Sequence, residues 1–322
     1  MKTIANNPGI GIDVGKSELV TCIRHSNGAA EPPVAFANSS IGFRKFVVHL
    51  TNQKVQRDTP ILLESTGPYH WNIARYLADE GYLSKVVNPL HTKQIARYSI
   101  RKRKTDKIDA GQLAFLASQN YGYAFVETKE IARKKALVRH YWKLKSVIGN
   151  LSKHERYLKQ HRGITRATVT PYLIAKCESL KEKIIQDWEN GNNLKYLDSI
   201  PGITPFLGAT ILAELAPLER FQRTEQIIAF AGLDPSVKQT GGKSGTHGKL
   251  SKRGSRVLRT TLYLAAFGAF NRSLRPLYDT YRKRGLRHSE TLCIIARKIL
   301  RIAVALLKKR RMFDPKYLEV IP

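Results

Sequence analysis

The sequence predicts a mixed α/β domain followed by a chain that is otherwise all helical. Over the first 120 residues, short apolar segments alternate with amphipathic ones, as in layered strands and helices. From about residue 132, Gly and Pro become rare and apolar residues recur at helical intervals. The polar segment at 190–193 then leads into a basic part with further helical patterns. We therefore predict an α/β domain at 1–124, a helical coiled-coil arm at 125–190 and a helical C-terminal domain at 191–322.

Each element of the first part follows from its local pattern. Short apolar runs that end at an acid, or at Asn-Pro, predict strands. Apolar residues three and four apart predict helices, and Gly81 ends the second of these. The predicted strands are 9–14, 19–23, 34–36, 60–63 and 83–87, and the predicted helices are 41–50 and 69–80.

The helical parts are predicted with less detail. Two apolar-periodic segments lie between 132 and 188, and Pro171 is expected to begin the second. They indicate a helical hairpin or coiled-coil arm, although two ordinary packed helices explain them equally well because no sustained heptad is established. Beyond the arm we predict helices at 209–215, 225–231, 256–270 and 289–307, and a polar, Gly-rich loop at 234–248.

The charge of the chain limits its function. The 322 residues contain 55 Lys and Arg against 25 Asp and Glu, a net charge of +30, which favours a polyanionic partner such as nucleic acid. A hydrophobic fraction of 42% excludes a disordered basic tail. We expect no membrane span and no secretory signal. Three separated cysteines predict no disulfide framework, so a reducing, cytoplasmic location is expected.

Four acidic residues stand out in this basic chain. Asp13 and Glu64 end predicted strands, and Asp106 and Asp109 are three residues apart, so they share a face if they lie on a helix. Clustered carboxylates repel one another, and a divalent cation that prefers oxygen ligands, Mg²⁺ or Mn²⁺, removes the conflict. In the alternative interpretation, Asp106 and Asp109 merely cap and neutralise the start of a basic helix. Residues Arg101, Lys102, Arg103 and Lys104 precede the pair and are candidates for phosphate contacts.

The segments around these acids resemble a known family. Their order and intervals are similar to those in the N-terminal domain of the DEDD recombinases, which include insertion-sequence transposases that work with a bridge RNA and the Piv pilin-gene invertase. The resemblance implies a RuvC-like (RNase H-type) fold and a metal-binding tetrad of Asp13, Glu64, Asp106 and Asp109. The matching segments are GIDVGK at 11–16, LESTGPY at 63–69, VNP at 87–89 and KTDKIDA at 104–110.

A second resemblance lies near the other end of the chain. The segments AFAGLDPSVKQTG at 229–241 and LSKRGS at 250–255 look like the C-terminal transposase domain of the same family. The family places a nucleophilic serine before a glycine of this loop, where it is thought to attack DNA and form a covalent intermediate. Here the matching position is Thr240, whose extra methyl group stiffens the side chain. Three possibilities stay open: Thr240 is the nucleophile, Ser244 or Ser236 replaces it, or the chain uses the tetrad without a covalent step.

Further basic residues surround this loop and are candidates for phosphate contacts that position nucleic acid without specifying its sequence. A Pro-Gly turn at 199–203 looks like half of a helix-hairpin-helix, which is weak evidence for phosphate binding. The basic candidates are Lys238, Lys243, Lys249, Lys252, Arg253, Arg256 and Arg259.

The sequence thus predicts a DNA recombinase that binds double-stranded DNA and acts as a dimer or tetramer, since recombination joins two duplexes. Transposition, inversion of a segment and the use of a guide RNA all remain open. The alternatives are a metal-dependent nuclease or junction resolvase that uses only the tetrad, and a non-catalytic DNA-binding remnant. A tyrosine recombinase is disfavoured, because Arg284, Arg287 and His288 only loosely supply the residues it would need around Tyr278 or Tyr281.

Overall fold

The computed structural model divides the chain into two compact units, Met1–Thr128 and Lys129–Pro322. The structure describes residues 7–65, 69–89, 92, 106–163, 169–189, 191, 193–237, 247–271 and 273–315, with backbone alone at 106–107, 236–237 and 247–249. The predicted α/β and helical parts are confirmed in this order. The predicted three-domain boundaries stay a prediction, and both helices of the predicted arm lie in the second unit.

The first unit is built on a six-stranded sheet with the strand order β3-β2-β1-β4-β5-β6. Strand β2 is antiparallel to both β3 and β1, strands β1, β4 and β5 run parallel to one another, and β6 is antiparallel to β5. The sequence prediction missed β6, which has only two residues. The strands are β1 (Gly9–Val14), β2 (Glu18–Arg24), β3 (Val34–Ala37), β4 (Ile61–Glu64), β5 (Ser84–Val87) and β6 (Tyr123–Ala124).

Three helices cover the two faces of this sheet. Helices α1 (Ser40–Asn52) and α2 (His70–Asp79) bury Phe46 and Leu77 in the core cluster that contains Ile10, Ile12, Ile61 and Leu63. Helix α3 (Asp106–Ser118) covers the other face, where Leu113 packs with Leu62. Because side chains alternate along a strand, consecutive residues of β1 and β4 face different helices.

The second unit is helical apart from one two-stranded ribbon, and a single large apolar cluster contains buried residues from most of its helices. The first two helices pack on each other, which fits both the predicted hairpin arm and two ordinary packed helices, and the first is one continuous helix of 34 residues. The helices are α4 (Lys129–Arg162), α5 (Val169–Glu189), α6 (Asn193–Asp198), α7 (Pro205–Leu215), α8 (Thr224–Ala231), α9 (Arg256–Ala269), α10 (Arg275–Lys283) and α11 (His288–Lys309).

Helix ends in the second unit follow local capping rules. The Thr204 hydroxyl accepts a hydrogen bond from the Leu207 amide, and Pro205 occupies the first turn of α7. Helix α8 ends at Gly232, which has the left-handed backbone that glycine adopts at low cost. Among the helices of the described ranges, none combines the length and apolar character that crossing a membrane requires.

Candidate active site

Asp13 and Glu64 lie at the C-terminal ends of neighbouring parallel strands, Asp13 one residue before the end of β1 and Glu64 at the end of β4. Ile12 of β1 is paired with Leu63 of β4, and continuing this register by one residue places Asp13 beside Glu64. Adjacent strands are about 4.8 Å apart, so the two acids share one edge of the sheet. Alternation along the strands puts both on the face that α3 covers, opposite the face occupied by Ile12 and Leu63.

Helix α3 lies directly against β1 because two glycines leave room for its backbone. A Cβ atom on Gly11 would lie 2.1 Å from the Ala110 carbonyl oxygen, and one on Gly9 would lie 2.4 Å from the Ser118 amide nitrogen. Gly11, the later of the two strand residues, therefore contacts Ala110, the earlier of the two helix residues. It follows that α3 runs antiparallel to β1 and that its N-terminal turn lies towards the end of β1 that carries Asp13.

Asp106 and Asp109 occupy this first turn of α3. The Asp109 side chain is half-buried, and the Asp106 side chain lies outside the described residues. On the sheet, the Glu64 carboxylate accepts a hydrogen bond of 2.8 Å from the Thr92 hydroxyl. The backbone thus brings all four predicted acidic positions to one end of the sheet, and their role as a metal-binding set stays a prediction.

The acidic positions at this edge offer only oxygen ligands to a divalent ion. Among the side chains that the structure describes, no three His, Cys, Asp or Glu groups are arranged to hold a metal ion together. Mg²⁺ commonly binds through one or two carboxylates and completes its shell with water and substrate phosphates, so a preformed protein cage is not required. The oxygen-only set of Asp13, Glu64, Asp106 and Asp109 fits Mg²⁺ or Mn²⁺ in donor chemistry.

An open cleft adjoins these acids on the β1–β2 side. It begins at Asp13 and continues along the turn to Ser17 and Glu18. The turn itself is held by the Asn38 side-chain amide, which donates to the Gly15 carbonyl oxygen at 2.8 Å. Asp13 lines this cleft and its side chain is half-buried.

In the second unit, two paired strands that form a hairpin flank the segment that contains the predicted nucleophile. Strands β7 (Pro235–Val237) and β8 (His247–Leu250) are antiparallel, with Pro235 opposite Leu250 and Val237 opposite His247. The prediction of a loop over all of 234–248 was therefore wrong at its ends, where cross-strand hydrogen bonds form that local composition does not reveal. Thr240 and Ser244 lie outside the described residues, as does the side chain of Ser236.

Two arginines hold the chain that enters this hairpin. Arg259 donates to the Ala231 carbonyl oxygen at 3.1 Å, and Arg297 donates through two nitrogens to the Leu233 carbonyl oxygen at 3.0 and 2.6 Å. Burial lowers the pKa of Arg297, and the neighbouring charge of Arg301 lowers it further. The predicted set included Arg259 but missed Arg297, because residue spacing along α11 does not reveal a contact with a distant carbonyl group.

The chain that leaves the hairpin is held as well. The Ser251 hydroxyl donates to the Asp234 carboxylate, and the Ser251 amide donates to the Asp234 carbonyl oxygen at 2.9 Å. Four residues later, the Ser255 amide donates to the Phe230 carbonyl oxygen at 2.6 Å. A Cβ atom on Gly254 would lie 1.9 Å from that same oxygen, so the close approach requires glycine. Both ends of the hairpin are thus fixed to the helices beneath it.

A buried carboxylate that the sequence did not single out, Glu214, holds the chain where it leaves the hairpin and enters α9. Glu214 of α7 is fully buried and receives two hydrogen bonds from Arg139 of α4, at 2.8 and 3.2 Å. The Ser255 hydroxyl donates to the same carboxylate at 2.8 Å and caps α9 by accepting from the Leu258 amide. Burial by itself raises the pKa of Glu214, but the hydrogen bonds and charge of Arg139, the Ser255 bond and the charge of Lys135 hold it below its usual value.

The predicted basic contacts fall into two groups. Lys252, Arg253 and Arg256 are exposed where the chain enters α9, and Arg259 is half-buried one turn further on. The remaining candidates lie outside the residues whose side chains are described: Arg101, Lys102, Arg103, Lys104, Lys238, Lys243 and Lys249.

The Pro-Gly turn at 199–203 does connect two helices, α6 and α7, as the weak motif suggested. Gly202 has φ +87°, and a Cβ atom there would lie 2.2 Å from the Ala265 carbonyl oxygen of α9. This glycine therefore serves the packing of the turn against α9.

Two family models match this chain in the order in which these sites occur. Residues 10–161 match a model described as a transposase, that of the DEDD transposases of IS110 elements, and residues 194–282 match the model of the IS116/IS110/IS902 transposase family. The chain belongs to the DEDD transposase family. The first match contains Asp13, Glu64, Asp106 and Asp109, and the second contains the β7–β8 hairpin.

Several relatives resemble this DEDD family member over different lengths. A pilin gene-inverting protein of Moraxella bovis is 24% identical, over 96% of this chain and 98% of its own length. A transposase for insertion sequence element IS1111A of Coxiella burnetii is 26% identical, over 79% of this chain and 75% of its own length. An uncharacterized 44.8 kDa protein of insertion element IS116 of Streptomyces clavuligerus is 29% identical, over 44% of this chain and 37% of its own length.

Proposed function

We propose that this protein cuts and rejoins double-stranded DNA by metal-dependent phosphoryl transfer, with Thr240 as the nucleophile. The observation that carries the proposal is the convergence of four acidic positions at one end of a mixed sheet in a member of the DEDD transposase family. A RuvC-like (RNase H-type) fold for the first unit is supported by its antiparallel β3-β2-β1 and parallel β1-β4-β5 order.

The acids would hold Mg²⁺ or Mn²⁺ through Asp13, Glu64, Asp106 and Asp109. A bound divalent ion supplies charge stabilisation for the phosphate oxygens during transfer. A carboxylate of this set can accept the proton of the attacking hydroxyl. The close packing of α3 on β1 supports this role, because it fixes the Asp106–Asp109 turn relative to the strand that carries Asp13.

The proposed covalent step uses the Thr240 hydroxyl. A bond forms between its Oγ1 atom and the scissile phosphorus, while the bond from phosphorus to one deoxyribose oxygen breaks. The threonine proton leaves with a base, and the departing deoxyribose oxygen takes up a proton. Attack by the hydroxyl of another strand reverses these steps and rejoins the DNA, so no external energy source is needed.

Two finer properties belong to the same proposal. Recombination joins two duplexes, so we expect at least two protomers in the active assembly. Both inversion and transposition occur in the names of the relatives, and a guide RNA is compatible with the excess of cations. The function as a transposase or site-specific recombinase does not depend on which of these applies.

The acidic site is tested with isosteric variants. Asp13→Asn should abolish cleavage of a supercoiled plasmid that carries the coding sequence with its native flanking DNA, in either Mg²⁺ or Mn²⁺. The matched control is Asp58→Asn, which removes one exposed acid from the same unit and should cleave like the unchanged protein. Full cleavage by Asp13→Asn would exclude Asp13 from the chemistry.

The nucleophile is tested by trapping the protein–DNA adduct on the same plasmid and locating it by mass spectrometry. Thr240→Ala should form no adduct, and Thr240→Ser should restore it, because the hydroxyl is retained without the extra methyl group. Cleavage that survives Thr240→Ala but not Asp106→Ala would favour the nuclease or resolvase. Binding without cleavage by any form would favour a non-catalytic remnant, and an adduct outside 236–244 would refute the assignment of the loop.

A further inference from the structure

Four basic residues lie around the chain that enters the β7–β8 hairpin, and we call Lys252, Arg259, Arg297 and Arg301 the stem cluster. Arg259 and Arg297 donate to the carbonyl oxygens of Ala231 and Leu233, and the Lys252 amide donates to the Gly232 carbonyl oxygen between them at 3.3 Å. Arg301 lies one turn beyond Arg297 on α11. Lys252 and Arg259 belong to the sequence motif near the hairpin, whereas α11 reaches it only through packing.

The acid beside this cluster is already engaged. Asp234 acts on Arg297, but its carboxylate accepts the hydrogen bond from Ser251 that closes the hairpin stem. Among the described residues, the positive charge of the stem cluster therefore exceeds the negative charge that Asp234 supplies, and this excess favours an anion.

The arginines are oriented before an anion arrives. A guanidinium has five N–H donors in a rigid plane. The contact with the Ala231 carbonyl uses one nitrogen of Arg259, and the contact with Leu233 uses two nitrogens of Arg297. Both groups are half-buried and Lys252 is exposed, so the cluster is partly desolvated and still open at one side. A guanidinium held in this way loses little conformational entropy when it binds a phosphate.

We propose that the stem cluster binds a backbone phosphate of the nucleic acid, and that Arg301 and Arg297 of α11 supply contacts in addition to Lys252 and Arg259. The proposal extends the proposed function, since the phosphate would belong to the DNA that enters the hairpin site. The recognised chemistry is a phosphodiester, without preference for base sequence. Its position beside the hairpin stem would hold the backbone close to the loop that contains Thr240.

Arg301→Gln gives the sharpest test, because it removes one charge of the cluster and leaves the arginine contacts with Ala231 and Leu233 in place. The control is Lys308→Gln, which removes one charge from an exposed position of the same helix. Affinity for a fluorescein-labelled DNA duplex of mixed sequence is measured by anisotropy at several KCl concentrations. Log affinity falls with log salt concentration, and losing one phosphate contact should make this negative slope shallower by about 0.9.

We expect this shallower slope for Arg301→Gln, a slope close to that of the unchanged protein for Lys308→Gln, and recovery of the slope in Arg301→Lys. Equal slopes for Arg301→Gln and Lys308→Gln would overturn the proposal, since the effect would then be one of general charge. Thermal unfolding of each variant confirms that the helix is intact. The assay measures binding only. If Arg301→Gln shows the expected shallower slope but the unchanged protein forms no adduct in the cleavage assay, the proposed function is refuted and the phosphate site is still supported.

Discussion

Replacing Arg139 by alanine should destabilise the second unit, because it leaves a carboxylate buried without its main partner. Glu214 is fully buried, and Arg139 provides two of the three hydrogen bonds to its carboxylate, with Ser255 providing the third. The unchanged protein keeps the pKa of Glu214 below its usual value despite burial. Without Arg139, we expect burial to dominate and to raise that pKa.

The magnitude follows from the burial of the two partners. Removing one member of a buried ion pair costs about 3–5 kcal/mol. The Arg139 side chain is 53% exposed, so water already screens part of its charge. We therefore expect a loss of about 2–4 kcal/mol in the free energy of unfolding at pH 7.5.

The sign of the pH dependence makes the prediction specific. In the unchanged protein, the lowered pKa of Glu214 contributes stability that is present above the unfolded pKa, and this stability is lost as the pH falls through the folded pKa. In Arg139→Ala, the raised pKa gives a penalty that is present at pH 7.5 and shrinks as the pH falls towards the unfolded value. The difference between the two proteins should therefore be smaller at pH 5 than at pH 7.5.

Urea unfolding followed by tryptophan emission measures both quantities, since Trp142 and Trp188 lie in the second unit. The matched control is Arg133→Ala, also on α4, whose side chain is 50% exposed and pairs with Asp187 at 2.9 Å. Asp187 is 18% exposed whereas Glu214 is fully buried, so the control should lose much less stability. Equal losses in the two variants, or a deficit of Arg139→Ala that does not shrink on acidification, would refute the explanation.

Two further predictions concern local packing and reactivity. Gly11→Ala should lower the melting temperature of the first unit, at a cost of about 2–3 kcal/mol, because its Cβ would meet the α3 backbone at 2.1 Å. Gly111→Ala is the control; its Cβ meets nothing within 4 Å, and alanine should stabilise the helix by up to about 1 kcal/mol, so a similar loss in both would contradict the argument. Among the three cysteines, N-ethylmaleimide should modify Cys293 first in the native protein, because Cys22 and Cys177 are buried. Its rate should rise with a midpoint above the ordinary thiol pKa of about 8.5, since burial raises the pKa of Cys293, and a lower midpoint would show that the neighbouring cations dominate.

Much of the first unit could be predicted because its signals are local. Strand β1 is a short apolar run with Asp13 one residue before its end, and β4 is one that ends at Glu64, so both acids were found from their immediate neighbours. The interval between Asp106 and Asp109 fits one turn of α3, a property of helical geometry alone. The two-residue strand β6 could not be found, because its extended backbone depends on pairing with β5.

The second unit was less predictable where its contacts join distant parts of the chain. Glu214 lies in an apolar helix, and nothing near it in sequence shows that Arg139 and Ser255 will meet it. Arg297 contacts a carbonyl 64 residues earlier in the chain. Such residues are selected by long-range packing, which residue spacing does not encode.

The sequence by itself determined that this protein is basic, that it carries four acids in the intervals of the DEDD transposases, and that an α/β part precedes a helical part. Those properties follow from composition, short-range periodicity and motif order. Only the tertiary structure decided that α3 lies against β1 through Gly9 and Gly11, and that both ends of the hairpin are held by Arg297 and Ser255. The reason is physical, because close backbone approach and burial of charge arise only when segments far apart in the chain pack together.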